Sequence, residues 1–136
     1  MDDAADPELT AQVAAGAPFT AFLGIEMVSA SPHEVRARLA WSEDICTAGG
    51  VLHGGALMGL ADNVGGFCAF LNLPEGAAGT ATIESKTNFF AAVRAGHVHA
   101  LGRPLHTGRR TIVVDTELYD DAGRLVARVT QTQAVL

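Results

Sequence analysis

VLHGGALMGLADNVGGFCAFLNLP, residues 51–74, decides the fold: an apolar run that opens on His53-Gly54-Gly55, stops at Pro74 and holds one charged side chain, Asp62. Its apolar residues recur at helical spacing, which predicts one long helix over 54–71. Leu57, Leu60, Ala61, Val64, Phe67, Cys68 and Leu71 form the core stripe of that helix. The face around Asp62 is nearly bare, because the positions three, four and seven residues away are Gly55, Met58, Gly59, Gly65, Gly66 and Ala69. Each glycine inside a helix costs about 1 kcal/mol relative to alanine, so this stripe predicts that a backbone or a ligand comes close to it. A carboxylate among apolar residues loses solvation unless something nearby stabilises it, which marks Asp62 as a candidate functional group. The plain alternative is a helix aspartate that reaches solvent or bonds neighbouring backbone.

The run approaches the ~20 residues that a bilayer span needs. Asp62 and Asn63 nevertheless sit at its centre, no basic flank precedes it, and the rest of the chain alternates like a sheet protein, so it reads as a core helix. MDDAADPELTAQ at the N-terminus is acidic and has no apolar stretch; no signal or transit peptide is expected, and the expected location is the cytoplasm. The 136 residues, 49% hydrophobic and 18% charged, suffice for a real core. They read as an acidic N-terminal segment with a short helix over 1–18 and one domain over 19–136. Cys46 and Cys68 are too few for a disulfide framework and are expected to be reduced. A net charge of −6 argues against a nucleic-acid partner, although seven of the nine basic residues lie from Lys86 onward, where a local patch could meet an anionic ligand.

Outward from the helix the pattern is strand. Residues 7–15 and 18–23 read as short helices, the second ending at Gly24. Strands over 25–30 and 34–41 flank the turn Ser31-Pro32-His33, and the second alternates Val35, Ala37, Leu39 and Trp41 against Glu34, Arg36 and Arg38. After the helix, strands over 80–90, 96–106, 109–119 and 125–136 are separated by short turns, which predicts an antiparallel meander of four strands. The fold class is therefore α+β, with a curved antiparallel sheet wrapped around one long central helix.

The segment Gly49-Gly50-Val51-Leu52-His53-Gly54-Gly55, then Leu60-Ala61-Asp62-Asn63, Asn88-Phe89-Phe90 with Gly96 beyond it, and Thr107-Gly108-Arg109 together resemble the hotdog-fold acyl-CoA thioesterases of the phenylacetate-pathway branch, relatives of 4-hydroxybenzoyl-CoA thioesterase. The most specific element is His-Gly-Gly with an acid eight positions after the first glycine. The resemblance implies that the Gly54 backbone N–H polarises the thioester carbonyl and that Asp62 is nucleophile or general base. It implies supporting roles for a polar side chain upstream, here Thr47, and for a hydroxyl on the following strand, here Thr82. The upstream position is usually Asn or Gln in that family; Thr47 is shorter and offers a hydroxyl instead of an amide. Gly55, Asn63, Thr80, Ala81 and Phe89 fall at implied substrate positions, and Arg109 and Arg110 at implied contacts to coenzyme A phosphates. No cofactor or metal is implied beyond coenzyme A as part of the substrate. The alternatives are an acyl-thioester hydratase or dehydratase on the same fold and a non-catalytic acyl-CoA binding module.

The chemistry follows from the motif itself. A helix N-terminus presents unpaired N–H groups and the positive end of a dipole, and glycines there let an acyl carbonyl approach. A carboxylate aimed at the same carbonyl can attack it or deprotonate a water. Gly54 and Asp62 are about 12 Å apart along one helix, so they meet on one thioester only if a second, antiparallel copy supplies one of them. The expectation is a homodimer or a dimer of dimers with its sites at the subunit interface. His53 either fixes the loop through hydrogen bonds or contacts the thioester region. Phe67, Phe89 and Phe90 suit an aryl or medium-chain acyl group. His97 and His99 share a strand face without a third ligand at metal spacing, Cys68 reads as core, and Cys46 has no basic neighbour to activate it.

Overall fold

The computed structural model describes residues 4–136; the acidic start of the N-terminal segment, residues 1–3, lies outside the described residues. Helix α1, Pro7–Gly16, begins where Asp6 accepts the Leu9 N–H at 3.0 Å and Pro7 takes the first helical position. It is tied to the following hairpin by the Asp6 N–H on the Met27 carbonyl and the Met27 N–H on Thr10 Oγ1, both at 2.8 Å. A short α2, Pro18–Leu23, ends on Gly24 in the left-handed region at φ 79°. Strands β1, Glu26–Ala30, and β2, Val35–Ala40, form the expected hairpin.

Helix α3, Gly54–Leu71, has the predicted bounds. Its hydropathy and length would suit a membrane span, yet its apolar side is spent on the sheet: Leu57, Leu60, Ala61, Val64 and Cys68 are buried against β2 and the four strands that follow. Those are β3, Thr80–Phe89; β4, His97–Thr107; β5, Thr111–Tyr119; and β6, Leu125–Val135. Together with the hairpin they make one six-stranded antiparallel sheet curled around α3, a hotdog fold.

Strand order corrects the expected four-strand meander. The order is β1-β2-β4-β5-β6-β3: only β4, β5 and β6 are a meander, and β3 pairs with β6 at the far edge. Residues 90–96 carry the chain from β3 across the end of the sheet to β4. Seven residues reach about 23 Å, enough to cross the two intervening strands at about 4.8 Å spacing. Along that crossing Val93 is buried, and its carbonyl accepts the Leu52 N–H at 2.9 Å. The connector is therefore held to the entry of α3, which a free hairpin turn would not achieve.

Candidate active site

The entry of α3 is built by the loop before it. After a single 3₁₀ turn over Glu43–Ile45, Cys46 and Leu52 form an isolated bridge, with Gly49 and Gly50 at φ 81° and 72° making the reversal between them. Trp41 Nε1 and Arg94 Nη1 donate to the Gly50 and Gly49 carbonyls at 3.0 and 3.1 Å, and the His53 N–H bonds the Ile45 carbonyl at 2.9 Å. This fixes His53 as the N-cap. Its Nδ1 accepts the Gly55 N–H at 2.7 Å, which makes the ring the Nε2–H tautomer and commits it to holding the loop. An alanine at 55 would bring its Cβ within 2.9 Å of that Nδ1.

With Gly55 capped by its own neighbour, Gly54 keeps the free donor: among the described residues its N–H has no protein acceptor. The Phe89 ring lies over it, so that a Cβ at Gly54 would stand 3.0 Å from Phe89 Cζ. Thr47, Gly54, Leu57, Phe89 and Phe90 line one hollow of about 470 Å³.

Asp62 lies in a different hollow. It shares about 650 Å³ with Asn63, Gly66, Phe67, Phe70 and Thr80, and with Gln12, Val13, Gly16 and Ala17 from the N-terminal helices. In the single chain the carboxylate is exposed, a correction to the expectation of a sequestered aspartate. The bare stripe is also corrected in part. Gly65 and Ala69 are buried against the sheet, and Gly59 lies under Leu23 and Phe19, whereas a Cβ at Gly66 would meet nothing within 4 Å. Asp62 Oδ1 accepts from Thr82 Oγ1 and from Gln131 Nε2, both at 3.4 Å, and Gln133 Nε2 donates to Thr82 Oγ1 at 2.7 Å. Sequence reading found Thr82 and missed both glutamines. The signal was present in β6, where alternation places Gln131 and Gln133 on the same face as the buried Ala127 and Val129.

The remaining predicted residues divide. Asn63 reaches the Asp62 hollow, but its amide is used by the fold: Oδ1 accepts from the buried Thr20 hydroxyl at 2.7 Å and Nδ2 approaches Met27 Sδ at 3.4 Å. Ala81 is exposed on β3 beside Thr80. Arg109 and Arg110 are exposed in the β4–β5 turn, and the register Thr111↔Ala134↔Ala81 puts them at the same end of the sheet as Thr80 and Ala81. Cys68 is buried, which pushes its thiol up to about 11. His99 meets Asp121 at 2.7 Å, so the His97–His99 face does gain an acidic neighbour through space; among the described residues no three His, Cys, Asp or Glu converge on a metal position.

The thioesterase superfamily model matches residues 49–127, the span that holds the loop, α3 and most of the sheet. The chain belongs to the thioesterase superfamily. It is 36% identical over 87 residues to the 1,4-dihydroxy-2-naphthoyl-CoA hydrolase of Escherichia coli K12, covering 64% of this chain and 63% of that one. Among solved structures, a thioesterase of Haemophilus influenzae superposes with a TM-score of 0.85 at 26% identity, covering 94% of this chain and 87% of the other. A variant of a Pseudomonas aeruginosa thioesterase does so at 0.86 and 27%, covering 93% of each. This thioesterase is thus a hydrolase acting on thioesters.

Proposed function

We propose that this thioesterase hydrolyses an acyl-CoA to a carboxylic acid and coenzyme A, using a site shared between two copies of the chain. The observation that carries the proposal is the pairing of a free Gly54 N–H at one end of β3 with a Thr82-bound Asp62 carboxylate at its other end, in separate hollows. β3 is an edge strand, exposed along nearly its whole length. Antiparallel pairing of two β3 strands about a two-fold axis between Ser85 and Lys86 sets Thr82 opposite the partner's Phe89. That arrangement carries Asp62 toward the partner's Gly54. The carbonyl then lies at a helix N-terminus, where the N–H and the dipole stabilise the developing oxyanion, while Asp62 attacks the carbonyl carbon or takes a proton from water.

The acyl group fits the hollow beside Asp62, where the Phe67 and Phe70 rings stack at 6.4 Å between centroids and Val13 adds apolar wall, which suits an aryl or medium-chain acid. Arg109 and Arg110 serve the nucleotide phosphates as exposed donors. The hydratase reading is disfavoured because His53 is engaged in capping. The binding-module reading is disfavoured by the donors gathered on Asp62, which a passive binder does not need.

The test is release of free thiol from a panel of acyl-CoAs by wild type and Asp62→Asn. Turnover in Asp62→Asn falls at least ~100-fold with the fold intact, equivalent to about 2.7 kcal/mol of transition-state stabilisation. A folded Asp62→Asn protein with wild-type turnover would remove Asp62 from the mechanism.

A further inference from the structure

Gln131 and Gln133 are an expensive choice for the inner face of β6. They are 0% and 1% exposed, on a face that Ala127 and Val129 otherwise fill without polar atoms. A methionine or leucine would occupy the same space with no hydrogen-bonding demand. What the glutamines add is a directed chain of donors. Gln133 Nε2 donates to Thr82 Oγ1 at 2.7 Å, which leaves the Thr82 proton to point at Asp62 Oδ1; Gln131 Nε2 points at that same oxygen. Oδ2 receives no donor among the described residues and stays available to the reaction.

The cost of this arrangement is visible on the other side of Gln131. Its Oε1 is buried with no partner among the described residues. It lies against Gly65, where a Cβ would overlap it, so the helix gives up a better helix former to admit the carboxamide. Neither the unpaired oxygen nor the glycine helps the fold; both serve to bring Nε2 to the carboxylate.

Resting on the reading that Asp62 performs the chemistry, we propose that Gln131, together with Gln133 acting through Thr82, is the positioning device that holds the Asp62 carboxylate by Oδ1 and turns Oδ2 to the thioester. At 3.4 Å both bonds to Oδ1 are long, as catalytic hydrogen bonds often are before substrate binds, and they shorten when the reacting group is in place. Misplacing a reacting group by about 1 Å costs up to ~100-fold in rate, the scale on which such a device matters.

The experiment compares Gln131→Met, Thr82→Val, Thr82→Ser and Asp62→Asn in the full chain, measuring kcat, KM and thermal midpoint. Gln131→Met keeps the side-chain length, removes the donor and also removes the unpaired oxygen. Its kcat falls about 10- to 100-fold with KM within about twofold, while its thermal midpoint holds or rises. Thr82→Val changes the exposed end of the same chain and lowers kcat in the same way, and Thr82→Ser recovers most of that loss. If Gln131→Met keeps wild-type kcat while Asp62→Asn is inactive, the inference is wrong and the role of Asp62 stands. If kcat and thermal midpoint fall together, Gln131 is structural and the inference is again wrong. If Asp62→Asn is itself fully active, the underlying reading fails. Should Gln131→Met not fold, the Thr82 pair decides alone: an unchanged kcat in Thr82→Val overturns the inference.

Discussion

Alanine at position 65 should change sign in its effect on stability according to what stands at position 131. A Cβ at Gly65 would overlap Gln131 Oε1 and come within 2.5 Å of its Cδ and 3.1 Å of its Nε2, so the carboxamide must be displaced. Overpacking of this kind costs about 1–3 kcal/mol. Alanine in a helix interior returns about 1 kcal/mol over glycine. The net for Gly65→Ala is a loss of about 0–2 kcal/mol, or up to roughly 8 °C in thermal midpoint for a chain of this size. In a Gln131→Val background the clashing atoms are gone and only the helix gain remains, so Gly65→Ala then stabilises by about 1 kcal/mol. The assay is thermal unfolding of the four proteins of the cycle at one protein concentration, since the proposed self-association would make the midpoint concentration-dependent. An identical shift from Gly65→Ala in both backgrounds would refute the close packing of Gln131 on the helix.

Other outcomes follow from the same geometry. Arg109→Ala with Arg110→Ala weakens coenzyme A thioesters much more than truncated thioesters lacking the nucleotide, and the difference shrinks as salt rises; equal losses on both would assign these arginines to the turn or the subunit contact. Cys68, buried with its thiol pushed up to about 11, stays silent toward a thiol reagent at neutral pH in the native protein, while the half-buried Cys46 reacts; labelling followed by peptide mapping reads this directly. The hydrogen bond from His99 holds the Asp121 carboxyl below the usual carboxylate range, against the opposing effect of burial. Any stability this adds over Asp121→Asn is therefore present above the unfolded aspartate value of about 3.9 and lost as pH falls through the lower folded value, which acid unfolding of the two proteins would show.

Much of this molecule is legible in its sequence where the signal is local. The bounds of α3 could be read because sixteen of its eighteen positions are apolar or glycine and keep one phase, and the His-Gly-Gly entry and Asn72 exit flank them. The β4–β5–β6 meander was legible for the same reason, each turn being short. β3 was not, because whether a strand pairs with its successor or crosses to a distant edge depends on the connector, and residues 90–96 show no pattern until Val93 is seen bonded to Leu52. Exposure of Asp62 was open in the sequence as the plain alternative, and the glycine stripe weighed against it: glycines at 55, 59, 65 and 66 announce that something comes close, but Gly59 is answered by Leu23 and Phe19 of the same chain, and Gly65 is answered by Gln131. Polar residues in a β-strand are easily taken as solvent-facing, and the phase of Ala127 and Val129 had to be carried forward two further positions to place Gln131 and Gln133 inside.

Mixing Gly54→Pro chains with Asp62→Asn chains tests the shared site most directly. Proline suits the first helical position. His53 already holds the extended φ −62°, ψ 135° that a following proline requires, so the substitution removes the free donor and fits the backbone of the helix start, with a small shift of the exposed Phe89 ring making room for its Cβ. After subunit exchange at equal amounts, half of the dimers are mixed and each has one whole site of two. About a quarter of wild-type thiol release should then return from two proteins that are each inactive alone. Heterodimers verified by mass that stay inactive, or a wild type that is fully active as a monomer, would contradict the shared site and require Asp62 to work with donors of its own chain.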